Sequence, residues 1–171
     1  MGPGTIVLVT GATGFTGSVL TRKLVERGVT VRAIARGEPP AALRALPVQW
    51  FTGQVYDPEV VKAACEGVQF VFHVAAAYRA AGVADEVYEL VHVTSTKLLV
   101  EAAARQPGFR RFVHVSTVGV HGHIDDPPAD ETYRFAPGDL YQNTKAEAER
   151  WLREHAPRFN LPCTVIRPAA I

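Results

Sequence analysis

Cysteine is scarce in this chain: Cys65 and Cys163 are the two present, and neither has metal-ligand spacing. A disulfide-rich scaffold is therefore excluded, and a reducing compartment fits. Both cysteines read as small core residues. Excess charge of one sign is also lacking. The 18 Lys and Arg residues against 17 Asp and Glu leave a net charge of +1. Nothing in that balance calls for nucleic acid as a partner or for an acidic disordered tail. No apolar run approaches the ~20 residues of a membrane span. The N-terminal "MGPGTIVLVTGATG" has no basic n-region, and its apolar run is too short for a secretory signal. Ile6 stands where a myristoylation pattern wants Ser or Thr. The expected location is the cytoplasm, with no membrane partner. The chain is 47% apolar and 20% charged, an ordinary balance for a globular protein, and its 171 residues suffice for one domain with a real core.

Strand-like and helix-like segments alternate. The β-branched run "TIVLVT" (5–10) suits a strand buried on both faces. Further strands are expected at 29–35, 47–53, 68–76, 110–117 and 162–168. Helices are expected at 15–28, in a short piece at 38–46, at 57–67, and over the long stretches 85–106 and 139–157. Asp57 is a candidate N-cap with Pro58 at the first helical position. A loop of about twenty residues separates the fifth strand from the last helix, a length that is usually functional or mobile. The pattern predicts an α/β fold: a Rossmann-type doubly wound parallel sheet with helices on both faces, as one domain over residues 1–171. The chain stops at "RPAAI", directly after a strand that should be nearly central. It reads as the N-terminal part of a longer protein, with the C-terminal substrate part missing.

"VTGATGFTG" places Gly11, Gly14 and Gly17 at three-residue spacing between the first strand and the first helix. Gly11 permits a tight turn, Gly14 lets backbone approach a pyrophosphate, and Gly17 allows close helix–strand packing. The helix N-terminus then offers N–H groups to phosphates. Thr13 and Phe15, inside the same loop, join the glycines as candidate cofactor contacts. An NAD site usually has Asp or Glu at the end of the second strand, for the ribose 2′-OH. Here that position is Ala35, followed by Arg36, with Arg32 nearby. A guanidinium suits a 2′-phosphate, so NADP is favoured over NAD; the alternative for Arg36 is an ordinary solvated arginine. Tyr141 and Lys145 lie four apart on the last helix and share a face. A neighbouring ammonium favours the phenolate, which moves a phenol of pKa near 10 toward useful acid–base range.

Taken together, "TGATGFTG", "VSTVGVHG" and "YQNTK" resemble the extended short-chain dehydrogenase/reductase family, of the NAD(P)-dependent epimerase/dehydratase type, along the whole chain. Sugar-nucleotide epimerases, dihydroflavonol-reductase-like and hydroxysteroid-dehydrogenase-like enzymes share this pattern. The resemblance implies that Tyr141 is the catalytic acid/base and that Lys145 binds the nicotinamide ribose. It implies that Thr117, or failing it Ser116, hydrogen-bonds the substrate oxygen. It also places Asp57 near the adenine, Ala75 and Ala76 along the cofactor, and Pro168 close to the nicotinamide. Gln54 stands where the family often has Asp, leaving an amide for the adenine contact. His92 stands where the family often has an asparagine that supports the active-site backbone; it either does the same or is a packed helical histidine, and the second reading is favoured. His121 replaces a tyrosine, and either touches substrate or lies in the mobile loop. His73 reads as a satisfied core histidine, and "DDPPADE" (125–131) as a solvated loop with no metal site.

These features predict an NAD(P)-dependent oxidoreductase or epimerase acting by hydride transfer on a nucleotide sugar or similar small molecule. One alternative is an NADPH-dependent ketone or aldehyde reductase. Another is a dinucleotide-binding regulatory protein without turnover. The family likeness also implies a homodimer through helices 85–106 and 139–157.

Overall fold

The computed structural model describes residues 1–78 and 83–169. Six strands form one parallel sheet: β1 (Ile6–Thr10), β2 (Thr30–Ala35), β3 (Val48–Thr52), β4 (Phe70–His73), β5 (Arg111–Val115) and β6 (Cys163–Ile166). Their order is β3-β2-β1-β4-β5-β6, and every neighbouring pair is parallel. The order in which strands are added reverses between β1 and β4. That topological switch point is where open α/β sheets bind ligands, outside the strand C-termini.

The expected strands and helices all form, generally one or two residues shorter at each end. α1 (Phe15–Glu26), α2 (Ala41–Arg44), α3 (Pro58–Cys65), α4 (Asp85–Glu89), α5 (Ser95–Ala104) and α6 (Leu140–His155) connect the strands. The residues of β1 alternate across the sheet as a strand must. Val7 and Val9 face one cluster with Leu24 of α1, while Leu8 faces another with Val61, Leu99 and Leu152 of α3, α5 and α6. Both faces of β1 are buried, which accounts for the unbroken apolar run. Cys65 is fully buried in the second layer, as a core cysteine should be, and Cys163 is half-buried.

The stretch 85–106 departs from a simple helix. Between α4 and α5, Leu90–Thr94 forms a π-helical turn. The hydroxyls of Ser95 and Thr96 donate to the carbonyls of Val91 and His92, at 2.5 and 2.6 Å. Such back-bonding competes with the regular backbone ladder, and single π turns gather at functional sites. Among the described residues no helix is long and apolar enough to cross a membrane.

Candidate active site

The glycine loop leaves β1 at Gly11 with φ of +68°. A Cβ there would stand 2.7 Å from the Ala75 nitrogen, and one on Gly17 would lie 2.1 Å from the Gly11 carbonyl oxygen. Only glycine lets α1 and the exit of β4 close on this turn. Gly14 is the N-cap of α1, no side chain caps that end, and its first turn carries no acidic residue. The N–H groups there remain available at the positive end of a twelve-residue helix. This cradle, which any Cβ would fill, fits the pyrophosphate of a dinucleotide. Thr13 and Phe15 are exposed on its rim.

At the neighbouring strand ends, Ala35 is buried and Arg36 is exposed. Arg32 has another task. Its Nη1 donates to the carbonyls of Ala64, at 3.3 Å, and Glu66, and its Nε to Gln49 Oε1 at 3.0 Å. It therefore covers the C-terminal end of α3, leaving Arg36 as the guanidinium open to a ligand. Asp57 caps α3, its Oδ1 accepting from the Glu59 and Val60 N–H groups at 3.0 and 3.4 Å. Gln54 is exposed in the turn before it.

Where β4 ends, a directed chain of hydrogen bonds fixes the backbone that faces the glycine loop. Thr10 Oγ1 accepts from the Ala75 N–H at 3.2 Å and donates to His73 Nδ1 at 2.7 Å. His73 Nε2 donates to Ser95 Oγ at 3.0 Å, since that hydroxyl spends its own proton on Val91. His73 is thus the satisfied core histidine expected. Burial, and then the nearby Lys145 charge, pushes its pKa to about 3, so it stays neutral.

His92 corrects the sequence reading. It is fully buried, yet it also supports the site: its Nε2 accepts from the Ala77 N–H at 3.0 Å and its Nδ1 donates to Thr144 Oγ1 at 2.8 Å. Its ring meets the Tyr141 ring edge-on at 5.4 Å. One imidazole therefore ties the β4 exit to α6. Burial, followed by Lys145 and His73, holds its pKa near 2. Ala75 is half-buried and Ala76 exposed on the segment so fixed.

α6 begins at the Asp139 cap, whose Oδ1 accepts from the Gln142 N–H at 2.8 Å. Tyr141, Lys145 and Glu149 then fall four apart on one face. Tyr141 is half-buried, whereas Lys145 and Glu149 are buried. Lys145 Nζ donates to the Val115 carbonyl at 2.9 Å, just below the C-terminal edge of the sheet. Burial lowers its pKa from 10.5 to about 8.

Past β5 the two hydroxyls differ. Ser116 Oγ is buried and has no hydrogen-bond partner among the described residues. Thr117 is half-exposed and opens a 3₁₀ turn, Val118–His121, with its Oγ1 accepting from the Gly119 N–H at 3.1 Å. Its O–H proton remains to donate. Pro168 is joined to this turn, its carbonyl accepting from the Val118 N–H at 2.9 Å.

The long loop is strapped down at this end. His121 is 3% exposed: Nδ1 donates to the Arg134 carbonyl at 3.0 Å and Nε2 accepts from Arg167 Nη1 at 3.1 Å. It is neither an open substrate contact nor a loose loop residue. Arg167 also holds Glu149, with bonds of 3.2 and 3.1 Å from Nε and 2.5 Å from Nη2. The acidic segment is exposed, with Asp125 paired to Arg134 and Asp130 capping its own turn at Thr132.

Beside Tyr141, a hollow of about 270 Å³ is lined by Val83, Asp85, Tyr88, Asp139, Leu140 and Tyr141 itself. A larger one, of about 540 Å³, runs from Arg153 to Cys163 at the start of β6. It lies at the strand N-termini, the wrong end of a parallel sheet for a ligand. The arrangement at the other end can hold a dinucleotide across the switch point, with Thr117 just past β5, and Tyr141 and Lys145 on the α6 face anchored at Val115.

Comparisons with known proteins bear on the fold and the family. The profile of the NAD dependent epimerase/dehydratase family matches residues 7–171. The chain is 38% identical over 169 residues to sterol demethylase protein B of Methylococcus capsulatus, covering 96% of this chain and 51% of that one. It is 36% identical over 176 residues to a 3 beta-hydroxysteroid dehydrogenase/Delta 5→4-isomerase of Mycobacterium tuberculosis, covering 96% and 46%. A short-chain dehydrogenase/reductase superfamily protein of Agrobacterium tumefaciens, solved with bound NAD, superposes with a TM-score of 0.85 at 26% identity, over 95% of this chain and 48% of that one. The chain thus spans about half the length of the curated relatives it matches. On the glycine loop, the switch-point topology and the profile match together, the chain belongs to the NAD-dependent epimerase/dehydratase family.

Proposed function

We propose that this protein carries out NADP(H)-linked hydride transfer at a carbinol or carbonyl carbon of an apolar small molecule, in the manner of a hydroxysteroid dehydrogenase or ketone reductase. The observation that carries the reading is the shared face of Tyr141, Lys145 and Glu149, with Lys145 anchored on Val115 beside the switch point. The bound nicotinamide supplies or accepts the hydride. The remaining work falls to the chain. The Gly11–Gly17 turn takes the pyrophosphate, with Thr13 and Phe15 at its rim, and Arg36 takes the 2′-phosphate. Gln54 and Asp57 flank the adenine, while Ala75, Ala76 and Pro168 line the path to the nicotinamide. Lys145 holds the ribose and favours the phenolate of Tyr141. Tyr141 moves the proton at the substrate oxygen, and Thr117 donates a hydrogen bond to the same oxygen. The buried Ser116 is the less suited of the two hydroxyls.

Two observations favour an apolar substrate. Val83, Tyr88 and Leu140 line the hollow beside Tyr141, with Asp85 and Asp139 as its charged members, and a relative at 36% identity is named for a hydroxysteroid. A nucleotide-sugar epimerase that retains NAD is the second reading, favoured by the family's name. We place the protein in the cytoplasm, consistent with its two free cysteines, as a homodimer through helices 85–106 and 139–157. The test is a fluorescence titration with NADPH and NADH, repeated on Arg36→Ala. NADPH preference lost in the variant is the expected result. Equal or tighter NADH binding refutes the phosphate role of Arg36 and favours the epimerase reading.

A further inference from the structure

Arg167 belongs to none of the roles above, yet it is among the most heavily bonded side chains of the molecule. Its side chain is 10% exposed and that of Glu149 is fully buried. Around one guanidinium converge both Glu149 oxygens, His121 Nε2 at 3.1 Å and the Glu131 carbonyl at 3.2 Å. Its Cζ lies 5.0 Å from the Phe135 ring centroid, and His121 packs edge-on against that ring at 5.7 Å. Arg153 Nε adds a second cation, 2.9 Å from Glu149 Oε1.

The partners come from separate parts of the chain. Glu149 sits one helical turn beyond Lys145 on α6. His121 closes the 3₁₀ turn that Thr117 opens. Arg167 itself precedes Pro168, whose carbonyl holds the Val118 N–H. A planar fork with fixed donor directions can join three such acceptors at set angles, which a flexible ammonium cannot. Removing it would leave the buried carboxylate with Arg153 as its remaining cation among the described residues.

We infer that Arg167 is a positioning residue for the nicotinamide half of the site. Through Glu149 it fixes the face of α6 that carries Lys145 and Tyr141, and through His121 it fixes the turn that carries Thr117 and Val118. The glycine loop and Arg36, on β1–α1 and β2, lie outside this strap. Its loss should therefore divide the dinucleotide into an affected half and an untouched one. The inference rests on the proposal that the site takes a nicotinamide dinucleotide.

The test is calorimetric titration of the chain with two ligand pairs, NADPH against 2′-phospho-ADP-ribose and NADH against ADP-ribose. The pair that wild type binds tighter is then followed in Arg167→Met, Arg167→Lys and His121→Phe. In Arg167→Met the nicotinamide-free ligand should keep its affinity within about twofold, while the full dinucleotide weakens about tenfold or more, as expected when charged hydrogen bonds are lost. Arg167→Lys can restore the Glu149 pair but not the three-way fork, and should lie between. His121→Phe keeps the ring packing and loses the acceptor for Arg167 together with the donor to the Arg134 carbonyl. It should show the same split more mildly, and it carries the test if Arg167→Met does not fold. Equal loss for both ligands marks a general structural role and overturns the inference, as does no loss for either. Failure of wild type to bind any of the four ligands overturns the proposed function, and this inference with it.

Discussion

Mild acid should destabilise this protein through its histidines. His73, His92 and His114 are at most 1% exposed and lie close enough to Lys145 to feel its charge. Burial first, and Lys145 second, carries His73 to about 3, His92 to about 2 and His114 well below 6.5. All three are therefore neutral in the fold. The unfolded chain takes up their protons near pH 6.5. Their contribution to stability is full above that value and is lost as the pH falls below it, until about pH 3, where the fold itself begins to bind protons. Between pH 7 and pH 5 one such histidine costs about 2 kcal/mol, so three cost about 6. A domain holds only about 5–15 kcal/mol in all.

The assay is urea unfolding at pH 7 and pH 5, followed by tryptophan fluorescence and far-UV circular dichroism. The midpoint should fall sharply with little change in m. His114→Phe supplies the internal control. Neither His114 ring nitrogen has a partner among the described residues, so the substitution removes a buried polar cost and should not destabilise at pH 7. It should also shrink the acid-induced loss by about a third. Equal stability of wild type at the two pH values would refute the reasoning, and so would an undiminished loss in His114→Phe.

Lys145→Met should raise stability at pH 7, because carrying a buried ammonium with a pKa near 8 instead of 10.5 costs about 3 kcal/mol; an orphaned Val115 carbonyl returns about 1–2 of that. Wild type should also gain stability between pH 8 and 10.5, where the unfolded chain binds the extra proton, and Lys145→Met should not. Gly17→Ala should cost about 2–3 kcal/mol despite the better helix propensity of alanine, since the new Cβ meets the Gly11 carbonyl oxygen at 2.1 Å. A neutral or stabilising result in urea would show that the loop is looser than its packing implies.

Local signals were the legible ones. The first strand is the most readable because both its faces are buried, so β1 is a nearly unbroken apolar run. The glycine turn was readable because its spacing meets a steric demand that the fold indeed makes at Gly11 and Gly17. Tyr141 and Lys145 were readable because helical spacing is a local rule. The same rule extends to Glu149, four residues further on, and would have drawn attention to a buried carboxylate needing a cation. Arg167, which meets that need, carries no local signal in "RPAAI" because its partners are 18 and 46 residues away.

The histidines were the hardest to read, and the reason is register. Thr10 lies opposite His73, and His73 opposite His114, across β1, β4 and β5. No spacing along the chain announces that row. Taken singly, each residue is a stray polar group on an apolar strand, and His92 a stray on a helix. Assembled, they answer one constraint. The exits of β1 and β4 must be held rigid from within, through backbone N–H groups such as those of Ala75 and Ala77. The anchors must carry no charge, because the ammonium of Lys145 is buried among them. A neutral imidazole meets both demands: it accepts at one nitrogen, donates at the other, and loses its proton rather than compete with the lysine. Two such rings, His73 and His92, anchor the site near one buried lysine, and the acid sensitivity predicted above follows from keeping them and the unpartnered His114 uncharged.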